Sequence, residues 1–299
     1  MTEVTERFDS TKLAMVDVAG TATRYWAGGE GEPLALFHGG HFASLYSLDA
    51  WSLALPLLTT RFRVVAIDKL GQGFTDNPPT PAHYTFDALL DHSIATLDAL
   101  GIQGAHLAGH SRGALLVAAI ALKRPDLVKS LVLVSTNTLA PDDARYPGAA
   151  FYQDVERRTP PGPPTRESVR MEPDAQAFDT GQVTDDFVGR LLEVALLPKS
   201  LAAKEVMTTA SDAIWMPSLA QAKAATLAAI DESGLPCPAI IIWGRNDKSA
   251  FLPLAPILFD RIAARTPDCA MHVVNGSGHY VFREQPEAFA RAVTSFCLR

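Results

Sequence analysis

The sequence predicts an α/β fold, a mostly parallel central sheet flanked by helices with a helical lid inserted, and three observations carry that reading. Short apolar runs recur at residues 34–37, 64–67, 105–108, 131–135, 239–243 and 271–274, separated by helical or looped segments. A parallel sheet requires such alternation, because each parallel pair of strands needs a crossover. The rhythm stops over residues 139–216, where prolines cluster at Pro160, Pro161, Pro163 and Pro164 and helical spacing replaces strand signals. Finally, a serine stands between two glycines where an apolar run meets a small, apolar helical run, in Gly109-His110-Ser111-Arg112-Gly113.

Taken in order, the run at 34–37 ends in His38-Gly39-Gly40-His41, a turn that brings a backbone N–H toward a nucleophile on a neighbouring strand. The run at 64–67 opens into a loop, residues 68–76, with glycines at 71 and 73. Lacking a third glycine and a following helix, it reads as a tight structural loop with local hydrogen bonds from Asp68 and Asp76, not as a nucleotide fingerprint. Residues 85–100 carry Phe86, Leu89, Leu90, Ile94, Leu97 and Leu100 at helical spacing, and Gly101 ends the helix. Within the insertion Thr184 is an N-cap, with Asp185 and Asp186 in the first turn where negative charge is favoured. Phe187, Leu191 and Val194 form the inner face of the helix that follows. Arg190 falls on the margin of that face, where the plain packing reading has it snorkel outward. The chain thus divides into a core, 1–138 and 217–299, and a lid, 139–216.

The serine carries the chemistry. Glycines two before and two after it remove side chains that would clash in a tight, strained turn, and the turn presents the Ser111 hydroxyl at a helix N-terminus. There the helix dipole and the Arg112 amide favour negative charge on a substrate oxygen. A chance occurrence of the five-residue pattern is the alternative, and the strand-turn-helix context weighs against it. A hydroxyl also needs a base and an acid to hold that base. Asp247 follows the apolar run at 239–243, and His279 follows the run at 271–274 in a glycine-rich loop. Singly these are an ordinary turn aspartate and loop histidine. Jointly, in the order Ser111, Asp247, His279, they have the chain order of the α/β-hydrolases. The amides of Gly40 and Arg112 form the candidate oxyanion hole, and His38 reads as structural.

Composition sets limits. With 47% hydrophobic residues in 299, the chain can bury a large core, and a net charge of −7 without charge blocks leaves no basic footprint for nucleic acid. Residues 1–7 lack a basic stretch followed by an apolar run, and no long uncharged apolar segment occurs, so a cytoplasmic protein with no membrane partner is expected. Cys237, Cys269 and Cys297 read as reduced packing thiols. No zinc-type spacing is present, and neither metal nor cofactor is implied.

From the His38-Gly39-Gly40 loop through Gly109 to Gly113 and on to the Asp247 and His279 loops, the chain resembles the meta-cleavage product hydrolases. These are the C–C bond hydrolases of aromatic catabolism within the α/β-hydrolase fold. The resemblance implies that Arg190, in Thr184-Asp185-Asp186-Phe187-Val188-Gly189-Arg190, binds a substrate carboxylate. The chain departs from the family at His110 and Arg112, where asparagine and methionine or phenylalanine are usual, at Tyr280, often tryptophan, and at His41-Phe42, where a longer glycine run is usual. His110, Tyr280 and His41 are therefore further substrate-contact candidates. His110 is expected to donate to a substrate oxygen, with pH dependence near neutrality. The implied activity is hydrolysis of a C–C bond in a 2-hydroxy-6-oxo-2,4-dienoate-type substrate. A carboxylesterase or lactonase on a carboxylate-bearing aromatic ester is the alternative enzyme, and a ligand receptor with slow or no turnover the alternative of another class. Homo-oligomerisation is left open.

Overall fold

The computed structural model describes residues 9–299, so the N-terminal segment read above lies outside the described residues. One sheet organises the chain. Its strands are β1 (Leu13–Val18), β2 (Thr21–Gly28), β3 (Glu32–Phe37), β4 (Phe62–Ile67), β5 (Ala105–His110), β6 (Val128–Val134), β7 (Ala239–Gly244) and β8 (Cys269–Val274). They lie in the order β1-β2-β4-β3-β5-β6-β7-β8. From β4 to β8 all neighbours are parallel, whereas β1–β2 and β2–β4 are antiparallel. The antiparallel edge pair was not read from the sequence. In β1 most residues are partly or fully exposed, so no apolar run marks it.

Strand alternation splits the interior into two cores. Leu107, Leu131, Leu133, Ile241 and Trp243 face one side, while Ala108, Val132, Val134, Ile240 and Ile242 face the other. The helices in chain order are α1 (Leu55–Leu58), α2 (Phe86–Ala99), α3 (Arg112–Lys123), α4 (Gly148–Arg158), α5 (Arg166–Gln176), α6 (Asp185–Leu196), α7 (Pro198–Ala210), α8 (Met216–Ser233), α9 (Leu254–Ala263), α10 (Val281–Glu284) and α11 (Pro286–Cys297). On the first face Leu97 of α2, Leu116 and Ile120 of α3, Ile230 of α8 and Leu258 of α9 are fully buried. Each such side chain contributes about 2 kcal/mol through removal from water. On the second face Leu58, Phe282, Phe289 and Val293 close over Trp51. Among the described residues no helix is long and apolar enough to cross a membrane, and no group of three or more His, Cys, Asp or Glu is placed to hold a metal ion.

Helices α4 to α7 fall between β6 and α8, with no strand among them. Thr184 caps α6 by accepting from the Phe187 amide at 3.2 Å, and Phe187, Leu191 and Val194 are buried. The loop after β4 is held by a buried hub. Asp68 accepts from Arg24 Nε at 2.6 Å and from the amides of Leu48 and Phe74, and a side chain at Gly73 would collide with its carboxylate. Asp76 accepts from the Ala22 amide at 3.0 Å, tying the same loop to β2.

Candidate active site

Parallel strands deliver their loops to one sheet edge, and that edge gathers the candidate residues. Ser111 follows β5 with φ 54° and ψ −120°, a conformation side chains rarely adopt, and it caps α3. Both flanking glycines are required by contact. A Cβ at Gly109 would stand 2.2 Å from the Gly113 carbonyl oxygen, and one at Gly113 would stand 2.5 Å from the Phe37 carbonyl oxygen. The turn is therefore tight because helix α3 leans directly on β3 and β5, and only bare backbone fits between them.

Asp247, after β7, is held as an acceptor on both oxygens. Oδ1 takes the amides of Ser249 at 2.9 Å and Ala250 at 2.8 Å and the Ser249 hydroxyl at 3.1 Å. Oδ2 takes His279 Nδ1 at 2.7 Å, and both side chains are buried. A proton on Nδ1 leaves Nε2 of a neutral His279 with its lone pair, the tautomer a general base needs. Ser111 and His279 line one cavity with no direct hydrogen bond between them. Such contacts are often long without substrate and tighten in the reacting complex.

Gly40, in the left-handed region at φ 80°, lines the cavity beside Arg112. Neither backbone amide finds an acceptor among the described residues, as a pair of donors kept for an oxyanion must not. The loop is held from behind. Buried Lys69 donates to the Gly40 carbonyl at 3.1 Å, and His38 is fully buried, donating from Nδ1 to the Gly39 carbonyl at 2.8 Å. Burial holds the His38 imidazole well below its ordinary pKa, so it serves the loop as a neutral brace.

His110 does not fill the role expected of it. Its Nε2 lies 3.0 Å from the His279 carbonyl, which only accepts, so Nε2 carries the proton and the N–H is consumed. What remains is Nδ1, a buried acceptor without a partner. Burial, then the neighbouring His279, push its pKa well below 6.5, so the pH dependence near neutrality is also withdrawn. His110 instead fixes the backbone of the loop that carries His279. Tyr280 does line the cavity, with its ring 5.9 Å from that of Tyr46.

Two candidates lie elsewhere. Arg190 opens onto a separate groove, with its side chain 43% exposed and Nη1 donating to Glu193 at 2.7 Å. The reason is helical phase: successive residues point about 100° apart, and Leu191, 1% exposed, takes the inward position. His41 likewise faces a different cleft, with Phe42 and the Pro160-Pro161 segment, behind the loop that carries Gly40.

The inserted helices supply residues that the sequence reading missed. Tyr152 of α4 and Glu172 and Gln176 of α5 complete the cavity over Ser111. Desolvation raises the Glu172 pKa, the nearby Tyr46 hydroxyl opposing the shift. Gln176 Nε2 donates to Ser249 Oγ at 3.2 Å, the hydroxyl that in turn binds Asp247, and the Gln176 carbonyl accepts from the His279 amide at 3.1 Å. The insertion is thus bonded to the carboxylate and to the histidine of the site. About 20 Å³ remains open above Ser111, room for about one water.

The sequence profile of the alpha/beta hydrolase fold family matches residues 32–286. The chain is 30% identical to the 2-hydroxymuconate semialdehyde hydrolase of Pseudomonas sp. strain CF600, over 93% of this chain and 91% of that protein. It is 27% identical to a 2-hydroxy-6-oxo-2,4-heptadienoate hydrolase of Pseudomonas putida, over 94% and 95%. Among solved structures, a serine-to-alanine variant of the meta-cleavage product hydrolase from Pseudomonas fluorescens IP01, complexed with acetates, superposes with a TM-score of 0.75 at 29% identity, over 96% of this chain and 98% of that one. The elbow, the Asp247–His279 pair and this similarity along nearly the whole chain agree, and the chain belongs to the alpha/beta hydrolase family, where it resembles the meta-cleavage product hydrolases.

Proposed function

We propose that this protein hydrolyses a C–C bond in a 2-hydroxy-6-oxo-2,4-dienoate-type ring-fission product, with Ser111, His279 and Asp247 as its catalytic residues. The observation that carries the reading is the convergence of Ser111, the Asp247–His279 pair and the unpaired amides of Gly40 and Arg112 on one covered cavity. The named relatives act on substrates of this class. In this scheme the dienol first ketonises, which turns the bond next to the 6-oxo group into one whose carbon can leave as a stabilised carbanion. His279 takes a proton from Ser111, or from a water beside it, as oxygen adds to that carbonyl. The oxyanion accepts from the Gly40 and Arg112 amides, a stabilisation of about 3 to 4 kcal/mol per donor. On collapse the C–C bond breaks and the leaving carbon takes the proton from His279. Where Ser111 was the attacking group, water then adds to the acyl-serine ester with His279 again taking its proton, and Ser111 leaves with that proton. In either route the water oxygen ends in the new carboxylic acid. Helices α4 to α7 act as the lid that excludes bulk water during these steps. The substrate is a small carboxylate met in the cytoplasm.

Ester or lactone hydrolysis is the second reading, favoured by the outward turn of Arg190, which removes the anchor implied by the family. Both readings are tested together by following loss of the visible absorbance of a ring-fission dienolate beside a panel of p-nitrophenyl and aromatic monoesters. Dienolate turnover at a higher kcat/KM than any ester supports the C–C reading. Ester turnover with a stable dienolate overturns it.

A further inference from the structure

Arg112 and Tyr152 line two spaces at once. One is the cavity over Ser111; the other is a larger cleft of about 600 Å³ whose walls include Tyr146, Met216, Leu219 and Leu254. Other charges in that cleft are already matched. Asp142 pairs with Lys223 at 2.6 Å, and Asp143 binds Arg145 Nε at 2.9 Å. Arg112 is different. Among the described residues no carboxylate pairs with it, and its Nε is buried without a hydrogen-bond partner. It is also the one arginine or lysine among the residues that line the catalytic cavity. Glu172 reaches the same cavity from α5 without an ion pair to Arg112; burial raises its pKa, while the Tyr46 hydroxyl and then the Arg112 charge oppose the shift. The Arg112 side chain is half-buried, and a buried Nε–H left without an acceptor is costly unless an anion arrives to use it. The planar guanidinium fork suits a carboxylate, which it can bind through two parallel hydrogen bonds.

We propose that the Arg112 side chain is the carboxylate anchor of this enzyme, holding the acid group of the substrate between the catalytic cavity and the cleft, with the adjoining apolar chain lying in the cleft. One residue then serves the substrate twice: its amide meets the oxyanion and its guanidinium meets the acid. This assignment rests on the serine-hydrolase reading and moves the anchor from the inserted helix α6 to the nucleophile elbow.

The test is a pair of esters of matched length, the anionic mono-p-nitrophenyl glutarate and the neutral p-nitrophenyl valerate, assayed with the wild type, Arg112→Met and Arg112→Lys. The wild type should prefer the anionic ester at least about tenfold in kcat/KM, a discrimination of the size a single ion-pair anchor provides. Arg112→Met should bring the ratio to within about twofold of unity through a raised KM for the anion, and Arg112→Lys should restore part of it. The ratio is measured within each variant, so a misfolded fraction lowers both rates and leaves it unchanged. An unselective wild type, or an Arg112→Met variant that keeps the preference, overturns the anchor. Neither ester requires C–C cleavage. A stable dienolate with a preserved ester preference therefore sinks the C–C reading alone, and dienolate turnover without the preference sinks the anchor alone.

Discussion

At Ser111 the backbone conformation is itself part of the chemistry. A non-glycine residue at φ 54° and ψ −120° stores about 1 to 3 kcal/mol of strain, and the neighbouring glycine contacts hold it there. The side chain can be replaced without disturbing that turn, so Ser111→Ala should keep the fold while lowering kcat by several orders of magnitude, measured by single-turnover kinetics. Asp247→Asn should cost about ten-thousandfold in kcat by stabilising the wrong His279 tautomer; retention of a tenth of wild-type activity would require another acid. Arg190→Gln, by contrast, removes an exposed pair with Glu193 and a longer one, 4.0 Å, with Asp49, neither of them in the cavity over Ser111, and kcat/KM should stay within about twofold. Serine, aspartate and histidine were legible because each follows a strand signal directly, so chain order fixed their place. For Arg190 the packing pattern was legible too, since Leu191 takes the inward position and Arg190 turns outward; what the structure does not match is the inward anchor implied by the family resemblance.

The same contrast holds for whole elements. Strands β3 to β8 are buried or follow apolar runs and could be read to within a few residues, whereas β1 alternates weakly along an exposed edge and left no pattern. Helix α5 was equally silent. It is polar, carries Pro173 in its interior, and buries only Val169, Pro173 and Gln176, so nothing in its sequence marked Glu172 and Gln176 as cavity residues beyond their sharing that narrow face. Its contact with the catalytic loop is nonetheless close, since a Cβ at Gly278 would stand 2.3 Å from the Gln176 carbonyl oxygen. Gly278→Ala should therefore force α5 away from His279, lowering kcat/KM by about tenfold or more while the melting temperature falls only modestly, because the insertion yields before the sheet does. A drop in stability with unchanged kcat/KM would contradict the coupling of this helix to the site.

Across the molecule, one sheet edge collects Gly40, Ser111, Asp247 and His279 from the ends of four parallel strands, and the two cores beneath hold them at fixed separation. Two half-buried histidines tie stability to pH. His92, bonded to Thr23 Oγ1 at 3.0 Å, is lowered to about 4 by burial, and His41 to about 4 by burial and then by Arg112. Between about 4 and the ordinary value of 6.5 the unfolded chain binds more protons at these sites than the folded one, so their contribution to stability is full above 6.5 and is lost as pH falls toward 4. Urea unfolding at pH 7 and pH 5 should then show a smaller loss on acidification for His92→Gln than for the wild type. Equal losses would remove His92 from the balance. The most direct test of the whole account is mass-spectrometric mapping of a fluorophosphonate adduct. The adduct should form on Ser111, disappear in Ser111→Ala and form far more slowly in His279→Ala, whereas labelling at another residue, or none in the wild type, would contradict a serine hydrolase built on this elbow.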